Sequence, residues 1–148
     1  MTPTSTPHND PPNLFDEHAH LREMLRELAA SLAARRATAK QLSELLEDAR
    51  RQLVSHFEHE ESGGFFHGLR EAVPHYSDRI TELEHEHAQF LSLLDQMRRR
   101  VLSHESEEVW RDDCDRLFAK FMENFAAHES GEHELMQEAY SQDIGAKD

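Results

Sequence analysis

The sequence predicts an all-α protein, an antiparallel up-down-up-down four-helix bundle, on three observations. Apolar residues recur in steps of three and four through four long stretches, only 5 of the 148 residues are glycine, and charged residues reach 31% against 37% hydrophobic. Steps of three and four keep one helical face inward, and so little glycine suits long helices better than turn-rich β structure. A chain of this length fits one domain.

Residues 1–13 carry Pro, Thr and Asn with almost nothing apolar, so they are expected to form a disordered tail. The first helix follows from Leu14, with its seam through His18, Leu21, Leu25, Leu28 and Leu32. Thr38 and Gln41 have capping-box spacing, and the second seam runs Leu42, Leu45, Ala49, Leu53, His56, Glu60. The Glu-Ser-Gly-Gly run at 61–64 ends that helix, and Pro74 falls in the connection to the third. The third seam is Ile80, Leu83, His87, Phe90, Leu94, Met97, Val101. Ser103 and Ser106 offer caps, and the last seam is Trp110, Cys114, Leu117, Phe121, Phe125, His128, Glu132, Leu135. Phe118 and Met122 flank it as packing residues. The bundle is expected over 14–141, with a second polar tail at 142–148.

A formal charge of −14 repels phosphate backbones and anionic headgroups, so neither nucleic acid nor a membrane is the expected partner. No apolar stretch approaches the length of a membrane span and the N-terminus lacks a basic start followed by an apolar run. A cytoplasmic protein is therefore expected. The single Cys114 forms no internal disulfide and no cysteine metal knuckle; on its apolar seam it reads as a small packed hydrophobe.

The seams hold six ionisable residues: His18, His56, Glu60, His87, His128 and Glu132. Unpartnered, each costs several kcal/mol, so six in one core would leave a bundle of this size unfolded. Metal ions compensate them directly, because carboxylate oxygens and neutral imidazole nitrogens are ligands for iron, manganese and zinc. Spacing supports this. His56 and Glu60, and His128 and Glu132, are both i, i+4 and share a face. Residues equidistant from a hairpin turn are level, and His18 and His56 centre on position 37, beside Thr38, His56 and His87 on 71.5, in the connection near Pro74, and His87 and His128 on 107.5, beside Ser106.

The chain also repeats. His18 and His87 lie 69 residues apart, while His56 and His128, and Glu60 and Glu132, lie 72 apart. Apolar residues follow both His18 and His87 at +3, +7 and +10, which selects His18 over His20 and His87 over His85. The Glu-x-x-His pairs Glu17–His20 and Glu84–His87 fail this repeat, so a ferritin-like carboxylate site is disfavoured. His59 in place of Glu60, and His133 as an added ligand, remain open alternatives. His20, His67, His75, His85 and His104 are expected on the surface or in loops. If each Glu bridges two metals and each metal takes two His, each metal has four protein ligands. That leaves room for a bridging oxygen and a small molecule, unlike a closed zinc site. The imidazole-rich set favours iron over manganese.

His18, then His-Phe-Glu-His-Glu at 56–60, then His87, then His-Glu-Ser-Gly-Glu at 128–132 resembles the hemerythrin-like HHE cation-binding family over about residues 14–140. The resemblance implies a four-helix bundle with a non-haem di-iron centre that meets dioxygen, nitric oxide or peroxide, or senses iron and oxygen. The matched positions are His18, His56, Glu60, His87, His128 and Glu132. Oxygen-carrying hemerythrins have a second His four residues on in the third helix, where this chain has Leu91, and a His followed by Asp at +5 in the fourth, where it has His133. The set is closer to the di-iron domain of iron-sulfur cluster repair proteins, without that group's Cys-bearing N-terminal domain.

Three functions are expected of such a centre. The first is binding or sensing of a small oxidant at an open position of two oxo- or hydroxo-bridged Fe ions. The second is reduction or disproportionation of peroxide or nitric oxide, and the third is iron storage or metal sensing. The sequence assigns no protein partner, and no separate acid or base catalyst declares itself.

Overall fold

A computed structural model describes residues 14–63 and 65–145. The expected tail at 1–13 and the end of the chain from 146 lie outside the described residues. Helices α1 (Leu14–Ala34), α2 (Ala39–Glu58), α3 (Phe65–Ala72), α4 (Ser77–Val101) and α5 (Glu107–Gly145) follow in order, with no strand among the described residues. The protein is all-α. The four long helices form a ring in which α1 packs on α2, α2 on α4, α4 on α5 and α5 back on α1. Short α1–α2 and α4–α5 turns make those neighbours antiparallel.

The capping box forms. Thr38 Oγ1 accepts from Gln41 N at 3.1 Å, and Gln41 Oε1 accepts from Thr38 N at 2.9 Å, which satisfies two amide donors that the first turn of α2 would otherwise leave free. Ser106 starts α5 in the same way, accepting from Val109 N at 3.4 Å. Arg111 ties the two turns at this end together. Buried to 6% exposure, it donates to the Ala37 carbonyl at 2.7 Å and is held by Glu107.

The seams bury as expected with two shifts by one residue. Leu46 and Phe118 are buried, while Leu45 and Leu117 are only partly so. Both pairs sit where a straight helix drifts against a fixed repeat, so the neighbour rotates inward. Met122 is exposed rather than packed. Through the centre Phe121 and Phe125 stack with ring centroids 5.7 Å apart, and Phe90 meets both edge-on at 5.4 Å.

Two features of the α2–α4 connection go beyond a simple loop. The last turn of α2 widens into a π-helical turn over His59–Gly63, and α3 folds over the bundle end behind it. Phe66 and Leu69 of α3 join Tyr76, Ile80, Leu83 and Leu135 in a second small core, separate from the main one. The six ionisable seam residues lie between the two cores. At the other end of the chain α5 runs four residues beyond the expected boundary at 141, since nothing before Gly145 stops it.

Two substitutions test these contacts by urea unfolding. Phe121→Ala opens a cavity in the main core and is expected to lower stability by about 3–5 kcal/mol. Thr38→Ala removes only the cap and is expected to lower it by about 1 kcal/mol.

Candidate metal centre

The residues expected to converge do converge. Ligand atoms of Glu60, His87, His128 and Glu132 all lie within 4.8 Å of one another, and so do those of His18, His56 and Glu60. Five of the six are at most 4% exposed, and His18 is partly exposed. Each of the four long helices contributes, as the equal heights along the bundle require.

The two carboxylates each reach to both sides. Glu60 puts Oε1 against His56 Nε2 and Oε2 4.0 Å from His87 Nε2. Glu132 puts Oε1 2.6 Å from His128 Nε2 and 3.8 Å from His87 Nε2, and its Oε2 3.4 Å from His18 Nε2. His18 and His56 form one close pair, with Nε2 atoms 3.0 Å apart, and His87 and His128 the other, with ring centroids 4.9 Å apart.

Behind the imidazoles stands a layer of carboxylates. His56 Nδ1 donates to Glu17 Oε2 at 3.0 Å, His87 Nδ1 to Glu61 Oε1 at 3.0 Å, and His128 Nδ1 to Glu86 Oε2 at 2.7 Å. A carboxylate only accepts, so it places the proton on Nδ1 and leaves the Nε2 lone pair aimed at the centre. That is the tautomer a metal takes. Nothing in residue spacing alone singles these three carboxylates out among the 30 acidic residues. One signal is present for two of them: Glu17 and Glu86 each precede a histidine of the cluster and lie 69 residues apart, the spacing of His18 and His87.

The π-helical turn has a local purpose. It turns the backbone less per residue than an α-helix does, which brings consecutive residues toward the same side. Glu60 faces the centre while Glu61 reaches His87. The two alternative ligands fall outside this arrangement. His59 is half exposed and donates to Glu17 Oε1 at 2.9 Å, and His133 is exposed. Of the rejected Glu-x-x-His pairs, Glu84 holds Arg70 at 2.9 Å and His20 faces outward. His67, His75, His85 and His104 are exposed. Cys114 is fully buried, and burial pushes its thiol up to about 11, as a packed hydrophobe requires.

Burial and the adjacent Glu132 push the Glu60 carboxyl up to about 10, so on its own it keeps its proton at neutral pH. Burial opposes ionisation of Glu132 as well, but its neighbours His128, His87 and Glu60 hold it below the usual carboxylate range. Burial lowers His18; His128 rises against the same penalty because Glu132 and Glu86 flank it. Glu60 Oε1, Glu132 Oε1, His87 Nε2 and His128 Nε2 are buried without a hydrogen bond of acceptable geometry. Buried polar atoms are normally satisfied, and these four face a common space. Their chemistry fits a cation with nitrogen and oxygen ligands.

The model of the Hemerythrin HHE cation binding domain matches residues 11–140. No curated protein and no solved structure matches the chain.

The shift at Glu60 sets a pH dependence for the protein stripped of metal. Its native value of about 10 lies above the ordinary 4.5, so between those values the native state holds a proton that the unfolded chain has released. Stability from this group is complete below the unfolded value and falls as pH rises toward the native one. Glu60→Gln cannot ionise. With chelator present, urea unfolding is expected to find the variant more stable than the parent by on the order of 2 kcal/mol at pH 8, and nearly equal to it at pH 5.

Proposed function

The chain belongs to the hemerythrin HHE cation-binding family, and from that premise we propose that it is a non-haem di-iron protein that binds or senses dioxygen, nitric oxide or peroxide. The observation that carries the reading is the span of the two carboxylates. Glu60 and Glu132 each offer one oxygen to the His18–His56 side and one to the His87–His128 side, the disposition of ligands that bridge two cations. His18 and His56 would hold one iron and His87 and His128 the other, with both carboxylates shared. Iron so held supplies a redox couple and a coordination position open to a small ligand.

The chain's own groups prepare that position. Glu17, Glu61 and Glu86 orient three imidazoles and make them better donors. Phe57, Phe90 and Phe125 wall the centre on the side of the main core, which limits the water that reaches it. Among the described residues no helix is long and apolar enough to cross a membrane, and the charge of −14 favours small uncharged ligands over large anions.

A second reading, reduction or disproportionation of peroxide or nitric oxide at the same centre, draws on one further observation. Glu17 joins buried His56 to half-exposed His59, a hydrogen-bonded line from the centre to solvent of the kind that proton-consuming turnover needs. Turnover that is unchanged in a Glu60→Gln, Glu132→Gln double variant would exclude this site as its source. Storage or metal sensing differs from both in requiring no small-molecule ligand.

Elemental analysis with optical spectroscopy tests the main reading. Two irons per chain are expected, with an absorption change when oxygen or nitric oxide meets the reduced protein. The double variant is expected to hold less than one iron per chain. A folded protein that takes up no iron would refute the proposal, and iron uptake with no spectral response to either gas would leave storage as the better account.

A further inference from the structure

The six ligands repeat between the two halves of the chain, but their surroundings do not. We propose that the two metal positions differ in affinity and fill in order: the His87–His128 position first and tightly, the His18–His56 position second and exchangeably. The inference rests on the two-metal reading above and concerns what that reading leaves open, the relation between the two positions.

Differences in assembly, orientation and packing point the same way, and the repeat marks where they arise. Around His87 and His128, four ligand groups already lie within mutual reach, both carboxylates included, whereas around His18 and His56 only Glu60 lies within reach of both imidazoles and Glu132 meets the pair through His18, at 3.4 Å. A donor set already assembled loses less conformational freedom on binding. Both imidazoles of the first position are locked from behind, by Glu61 at 3.0 Å and Glu86 at 2.7 Å. In the second position Glu17 locks His56, but no carboxylate among the described residues accepts from His18 Nδ1.

Packing differs as well. His87 is 3% exposed and lies between two phenyl rings, Phe57 parallel to it at 3.8 Å and Phe66 of α3 at 5.9 Å. The side chain of His18 is 18% exposed, and among the described residues its ring meets that of His56 and no phenyl ring. Finally, the repeat itself marks where the halves diverge. A step of 72 carries Phe57 onto Glu129 and Glu61 onto His133. The stacking ring and the orienting carboxylate of one half are thus a carboxylate and an imidazole in the other. Glu129 faces Arg22 at 3.7 Å, and α5 stays a regular α-helix where α2 widens into its π-helical turn. The second position therefore sits beside a polar and partly open α1–α5 seam, through which a cation can leave without unpacking either core.

Calorimetric titration of the chelator-stripped full chain with Fe(II) under anaerobic conditions tests the order. Two steps are expected, their dissociation constants separated by roughly tenfold or more. His87→Ala should remove the tight step and His18→Ala only the weak one, with circular dichroism confirming that each variant is still helical. Glu61, 39% exposed, can be replaced at small cost to folding. Glu61→Ala should weaken the tight step about ten- to a hundredfold and leave the weak step in place, while Glu61→Gln, which still accepts from Nδ1, should recover most of the loss. Two irons bound in a single step of equal affinity would overturn the order and leave the two-metal reading standing, as would a Glu61→Ala effect confined to the weak step. Absence of any iron binding would overturn both.

Discussion

Two carboxylates buried face to face are the constraint on which the rest of this bundle depends. Glu60 and Glu132 lie in a core where neither can ionise without a counter-charge, and on their own they settle the conflict by keeping a proton on Glu60. Coordination needs both free of protons. The arrangement is thus stable as protein only by withholding what a metal would use, the usual tension between stability and a working site. The surrounding imidazoles resolve it in the other direction, since their Nδ1 protons are already committed to Glu17, Glu61 and Glu86.

Placing such a cluster requires a scaffold rigid on all sides. The main core of stacked phenylalanines lies on one side of it and the smaller core beneath α3 on the other. Phe57 and Phe66 belong one to each, and both stack on His87. That histidine is fixed by packing as well as by hydrogen bonding. His18 has neither a stacked phenyl ring nor a carboxylate on Nδ1 among the described residues, and meets only the His56 ring edge-on. The proposed inequivalence of the two positions rests on these surroundings rather than on the ligand set.

Much of the fold and of the candidate site is legible in the amino-acid sequence. The seams, the six converging residues and their common level follow from the 3.6-residue period and from counting outward from turns. Both are local arithmetic that tertiary packing does not alter. The departures are small and local: the spacing points to Leu45 and Leu117 where their neighbours Leu46 and Phe118 are buried, because a helix several turns long drifts against any fixed repeat. In the α2–α4 connection the glycines and Pro74 point to a loop, and the apolar pair Phe66 and Leu69 is too short a pattern to announce α3.

Period and spacing along one chain suffice for the bundle, its repeat and the six residues that meet inside it, and so the sequence carries all three. The tertiary structure alone decided which of the many acidic side chains stand behind the imidazoles, that α2 widens at His59–Gly63, and that the two halves of the site are unequal. Those outcomes depend on the rotation of a ring and the approach of a carboxylate from another helix to about 3 Å. Residue spacing within one helix carries no information about such distances.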